Sequence, residues 1–220
     1  TYRGDLLIAR PVAITGEEGA VIQGNLTIQG AQNVTLNTVE IRGRVEIRNS
    51  TDVTISRVHV SGSPSIGVLI EDSTATISEC QIEGSAGVGV DISFGGRVIL
   101  RDCEIAETGG DGVRVSFGAQ ARIMDTTIRD CARDGLEVSG ATVELLGNRF
   151  VDNRGYGIHA HSGATLLGER NRGQGNKLGL ASEEVPIEVA SIRVPEGMSL
   201  KEAIQKAGQT PILLAPGEYK

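Results

Sequence analysis

Residues 111–138 read DGVRVSFGAQARIMDTTIRDCARDGLEV, and they close on the phrase that opened them: Asp111-Gly112-Val113-Arg114-Val115 returns as Asp134-Gly135-Leu136-Glu137-Val138. Outward from this pair, the pattern glycine-apolar-x-apolar recurs at Gly67-Val68-Leu69-Ile70, Gly87-Val88-Gly89-Val90 and Gly157-Ile158-His159-Ala160. The five copies step by 20, 25, 23 and 22 residues. Leu26-Thr27-Ile28 and Val45-Glu46-Ile47 repeat it without the glycine. A second column, Leu36, Ile55, Ile77, Leu100, Ile123 and Leu145, steps by 19, 22, 23, 23 and 22. A third copies those intervals five places later: Ile41, Val60, Ile82, Ile105, Ile128 and Phe150. Each segment alternates apolar and polar residues over a few positions, which is the period of a strand, and no 3.6-residue pattern intervenes.

Strands that recur about every 22 residues, with no helix to make a crossover, are satisfied if the chain winds as a coil and each strand pairs with its copy one turn on. The expected fold is all-β: a single-stranded parallel β-helix of about eight coils of roughly 22 residues each. A leucine-rich repeat has similar length but needs a leucine and asparagine signature that is absent, and a propeller blade needs about 40 residues.

Composition agrees. With 39% hydrophobic residues, 220 residues suffice for a buried core. Thirty glycines against three Tyr, three Phe and no Trp favour tight turns over a core of large rings. A formal charge of −7 repels a phosphate backbone and leaves no basic stripe, which argues against nucleic acid as a partner. No run approaches the 18 apolar residues of a membrane span, and the first residues lack a signal-peptide pattern. The compartment cannot be read, and no cofactor is called for.

Ser85, Thr108, Cys131 and Asn153 share one position, three residues after the third column. Small hydrogen-bonding side chains stacked ~4.8 Å apart form a ladder that offsets the burial of polar atoms at a bend. Cys80 and Cys103 fall in one column and Cys131 in another, so all three read as small buried fillers. Cys80 and Cys103 are neighbours in the stack, but parallel side-chain vectors are poor disulfide geometry. Asn25-Leu26-Thr27, Asn33-Val34-Thr35 and Asn49-Ser50-Thr51 match the glycosylation acceptor pattern, which Asn- and Thr-rich coils generate by chance.

The glycine-led strands and the Asn/Ser/Cys columns resemble the pectin-lyase-like superfamily of right-handed parallel β-helices, in particular its carbohydrate-binding and sugar-hydrolase type domains. The resemblance implies the fold over nearly the whole chain. It leaves activity open, because that superfamily includes lyases, hydrolases, epimerases, adhesins and non-catalytic scaffolds. Residues 1–180 are read as coils and 181–198 as a connecting segment. Ser199–Gly208 reads as a short capping helix over 199–207, with a Ser cap, Glu202 three residues on and an apolar stripe of Leu200, Ala203, Ile204 and Ala207.

With Pro211-Ile212-Leu213-Leu214 and Pro216-Gly217-Glu218-Tyr219, residues 199–220 resemble the beginning of such a β-helix, placed at its end. A circular permutation, a unit of a tandem array, or a cap supplied by a neighbour each account for this. Eight coils rise about 38 Å, and the roughly 18 residues before the cap reach about 60 Å, so a return path to the first coil is open. Without that return, the 212–214 strand would pair with another molecule's first coil, a head-to-tail self-association.

In polygalacturonases of this superfamily, carboxylates and a histidine act from the turn before successive glycine-led strands. The matching positions here are Asp111, Asp134 and Tyr156. The resemblance therefore makes Asp111 and Asp134 candidate acid and base for a glycosidic bond. A tyrosine stands where histidine belongs, and Asp-Gly is also ordinary turn chemistry.

Strand alternation points Arg114, Glu137, His159 and His161 outward on adjacent coils as a candidate ligand-binding face. His159 and His161 with Glu137 also have the spacing of a metal site, although outward strand positions are polar by default and Glu137 has Arg114 as a candidate ion-pair partner.

Uniform coils of 19 to 25 residues supply no long wall around a reacting bond. No Trp, and few Tyr, are available to stack on sugar rings. The expected function is a non-catalytic module for structural support or recognition of a polysaccharide or protein along a flat sheet face. The alternative is a polysaccharide lyase, hydrolase or epimerase acting near Asp111, Asp134, Glu137 and His159.

Overall fold

The computed structural model describes residues 1–182, which wind as a right-handed parallel β-helix. The first coil contains β1 (Tyr2–Arg3), β2 (Leu6–Ile8) and β3 (Val12–Thr15), and each opens a separate parallel sheet. The first sheet has nine strands, and the second and third have eight each. Every strand pairs with its copy one coil away. The expected helix at 199–207, the 199–220 segment and all but Ala181 and Ser182 of the connecting segment lie outside the described residues.

The second and third apolar columns stack as expected. Leu36, Ile55, Ile77, Leu100, Ile123 and Leu145 are successive partners in the third sheet. Ile41, Val60, Ile82, Ile105, Ile128 and Phe150 are successive partners in the first. These side chains are buried throughout. At ~25 cal/mol per Å² of apolar surface, their burial is the main term opposing the chain's conformational entropy.

One register differs from the sequence reading. Val68 pairs with Val90, not Val88, so the strand of that coil is Val90-Asp91-Ile92-Ser93 and its leading glycine is Gly89. Val88 lies two residues before Val90 in the same coil, at the bend, in a segment whose backbone stacks on Ser65 and Gly110. Both glycines precede an apolar residue two places before another, and only the next coil's hydrogen bonds choose between them. With Gly89 in place, the uneven steps of 20 and 25 become 22 and 23.

The leading glycine answers to packing. A Cβ on Gly112 would lie 2.3 Å from Ile128 Cγ2, and one on Gly135 2.9 Å from Phe150 Cδ1. The chain passes too close to the third column of the next coil for any side chain.

Of the ladder expected through Ser85, Thr108, Cys131 and Asn153, only the later part forms: Ser85 Oγ has no hydrogen-bond partner among the described residues, and Thr108 Oγ1 donates to Gly110 O. Cys131 donates its N–H to Asn153 Oδ1 at 3.1 Å, and Asn153 donates its own to Asn176 Oδ1 at 3.2 Å. A second ladder, unread in the sequence, runs Cys80, Cys103, Thr126, Asn148 and Asn171. Each backbone N–H there meets the next side chain's acceptor at 3.0 to 3.4 Å. Cys80, Cys103 and Cys131 are buried free thiols.

Candidate functional site

A groove of about 620 Å³ runs along the outer face of the second sheet. Its floor is set by strand alternation: Leu69, Asp91, Arg114 and Glu137 succeed one another in register, and His159 continues the same row beyond the groove. Val90, Val113, Leu136 and Ile158, their immediate neighbours in sequence, point into the core. One edge carries Ile66 and Arg133, and the other carries Phe94 and Phe117.

The aromatic edge was missed by sequence reading. Each coil after the first leaves the second sheet through one residue of positive φ, a place held by Gly30, Asn49, Asp72, Phe94, Phe117, Gly140 and Ser162. Glycine, Asn and Asp tolerate this left-handed backbone, whereas a bulky aromatic there is strained. Phe94 and Phe117 nonetheless adopt φ of 50° and 52°, and they remain 51% and 68% exposed. Their rings stack at 5.0 Å between centroids, 5° from parallel. The signal available in the sequence was the pair Ser93-Phe94-Gly95 and Ser116-Phe117-Gly118, 23 residues apart.

The floor is a chain of ion pairs between coils. Arg114 binds Asp91 one coil back. The expected pairing of Glu137 with Arg114 is not formed: Glu137 instead meets His161 one coil on, Oε1 to Nε2 at 3.1 Å. The difference is geometric, because Asp91 and Glu137 flank Arg114 on opposite sides and one guanidinium settles on the more buried carboxylate. Arg48 meets Glu71 one coil on and also Glu46, two residues back on its own strand.

The two candidate turn carboxylates are stacked, as the sequence implied, and each accepts the backbone N–H of the next turn. Asp111 Oδ1 accepts the N–H of Asp134 at 3.1 Å, and Asp134 Oδ1 accepts the N–H of Tyr156 at 2.6 Å. Asp111 is 0% exposed, with Arg133 Nη1 3.6 Å from its other oxygen. Burial pushes its carboxyl above the ordinary range, against opposing pulls from the Asp134 N–H and Arg133. Asp134 is also buried, but its Oδ2 reaches His159 Nδ1 at 2.9 Å on the outer face.

His159 and His161 lie side by side, ring centroids 5.0 Å apart, and Tyr156 is 5.4 Å from His159. Each imidazole is engaged by a different carboxylate. Among the described residues, no three His, Cys, Asp or Glu side chains are grouped to hold a metal ion. The site thus brings together Arg114, Glu137, His159 and His161 along one face and keeps Asp111 beneath it.

A family model described as "Right handed beta helix region" matches residues 43–189. Among solved structures, the chain is similar to the Agl-KA catalytic domain, with a TM-score of 0.50 and 14% identity over 77% of this chain and 42% of that one. It is similar to tailspike protein 2 from Escherichia coli O157:H7 bacteriophage CAB120, with a TM-score of 0.50 and 13% identity over 81% of this chain and 35% of that one. It is also similar to pectate lyase Pel9A, with a TM-score of 0.49 and 12% identity over 76% of this chain and 69% of that one. The chain thus spans less than half of the first two. No curated protein matches the sequence.

Proposed function

Because the chain belongs to the right-handed β-helix family, whose stacked coils offer a long regular face, we propose that it is a non-catalytic module binding a carbohydrate polymer along the second-sheet groove. The observation that carries this reading is the Phe94–Phe117 pair. Two large rings are held in a backbone conformation that suits glycine, and they stay in solvent rather than in the core. Neither folding nor solubility favours that arrangement. An aromatic edge beside a polar floor is what a sugar ring uses, its C–H face on the ring and its hydroxyls on the floor.

The non-catalytic part rests on the carboxylates. Asp111 is sealed from the groove, Asp134 is committed to a turn N–H and to His159, and Glu137 is committed to His161. Affinity electrophoresis through gels containing neutral or uronate polysaccharides tests the binding. Retardation that disappears in Phe94→Gly/Phe117→Gly supports the reading, and retardation unchanged by that double substitution, or none with any polymer, overturns it.

A second reading, a polysaccharide lyase, hydrolase or epimerase, is favoured by one contact. Asp134 orients the imidazole of His159, which stays partly open to solvent, in the way a carboxylate prepares a histidine for proton transfer. Turnover of any polymer in the same panel, lost in His159→Ala, would replace the binding reading by this one.

A further inference from the structure

We propose that the groove takes a neutral sugar unit, rather than a uronate, at a subsite made by Asp91, Ser116, Phe94 and Phe117; this rests on the carbohydrate reading above. Asp91 and Ser116 both line the groove and are each only 5% exposed. Asp91 Oδ2 is taken by Arg114. Asp91 Oδ1 and Ser116 Oγ are buried and have no hydrogen-bond partner among the described residues. Such atoms are rare in native proteins, because a buried polar atom without a partner forfeits what water would have given it.

Of the four such atoms among the described residues, Ser85 Oγ and Asp111 Oδ2 precede the second-sheet strands, whereas Asp91 Oδ1 and Ser116 Oγ lie on the strands that lead into the two rings. Asp91 lies three residues before Phe94, and Ser116 immediately precedes Phe117. Polar need and aromatic surface therefore coincide on two adjacent coils of one face.

The chemistry of the orphans selects the ligand. A carboxylate oxygen only accepts, so Asp91 Oδ1 requires a donor, and a sugar hydroxyl is one. Ser116 Oγ donates or accepts, as a second hydroxyl would require. A uronate carboxylate brings acceptors and a like charge to the same point. Arg114, the arginine at the subsite, is held by Asp91; of the other arginines lining the groove, Arg44 and Arg48 are paired with Glu46 and Glu71, and Arg133 lies on the opposite edge, 3.6 Å from Asp111. Neutral hydroxyls against the floor, with the C–H face on Phe94 and Phe117, satisfy every group at the subsite.

Isothermal titration of the full chain tests this with maltohexaose, cellohexaose, laminarihexaose and xylohexaose as neutral probes and hexagalacturonate as the acidic one. The expected result is that a neutral hexasaccharide binds at least tenfold more tightly than hexagalacturonate. Asp91→Asn should weaken that neutral probe at least tenfold and narrow the preference, since it frees the charge of Arg114. Ser116→Ala, which removes one hydroxyl and keeps the ion pair, should weaken it severalfold with an unchanged thermal midpoint. Tighter binding of hexagalacturonate, or neutral binding unaffected by both substitutions, overturns the inference while leaving the groove reading intact. If no probe binds, the groove reading fails and this inference fails with it.

Discussion

Oδ2 of Asp134 lies 2.9 Å from Nδ1 of His159, while Oδ1 of the same carboxylate accepts the backbone N–H of Tyr156 at 2.6 Å. One side chain ties the turn of its own coil to both the turn and the outer face of the next. Asp134→Ala should cost about 1–3 kcal/mol in urea unfolding, because it strands the Tyr156 N–H. Asp134→Asn keeps that acceptor and should recover most of the loss. His159→Ala should cost less than about 1 kcal/mol, since its ring is partly solvated.

Phe117→Gly removes a stacked ring and relieves a left-handed backbone at the same residue. The aromatic pair is worth ~0.5–1.5 kcal/mol, and the strain ~1–2 kcal/mol. The two nearly cancel, so the expected change in unfolding free energy is within about 1 kcal/mol of zero. Denaturant melts check this: a loss above about 2 kcal/mol would mean that the pair supports the fold rather than a ligand.

Asp111 carries a pH dependence of defined sign. Burial raises its folded-state pKa above the unfolded one, so the native state keeps its proton to higher pH than the unfolded chain does. Its contribution is fully present below the unfolded value, about pH 4, and is lost as pH rises through the folded value. Asp111→Asn retains an acceptor for the Asp134 N–H and cannot ionise. The variant should therefore gain stability relative to the parent as pH rises above about 4, read as a growing difference in thermal midpoint.

Asn148 is the densest point of the second ladder. Its Oδ1 accepts from Thr126 N at 3.0 Å, and its Nδ2 donates to Ile123 O at 2.7 Å and Asn171 Oδ1 at 3.0 Å. Asn148→Ala strands buried groups on both sides and should cost at least about 2 kcal/mol. Asn148→Thr should recover part of this, because Thr126 fills the same place one coil earlier and its hydroxyl takes the Cys103 N–H. Chemical denaturation of the two variants checks the order.

The fold was legible because a coil repeats its environment. Ile77, Leu100 and Ile123 meet the same neighbours, so the same residue type is required each time and the spacing shows it. Legibility failed at Gly87, where two glycines two places apart both fit the pattern and only pairing with Val68 separates them. Of the candidate site, the outward row Arg114, Glu137 and His159 was readable from alternation alone. The partners of those residues were not, since a guanidinium flanked by acids on both sides is decided by burial. The ladder through Thr126 and Asn148 was hidden by its mixed residues, which share a hydrogen-bonding role and no single identity.

The period, the second and third columns and the inward and outward sides of each strand are written in the spacing alone, because they follow from chain geometry repeated every 22 or so residues. Packing between coils is what closes off Asp111, gives Arg114 to Asp91 and stacks Phe94 and Phe117 beside a groove. Those facts depend on how far one coil is turned against the next and on which buried charge is nearer, quantities that no spacing along the chain encodes.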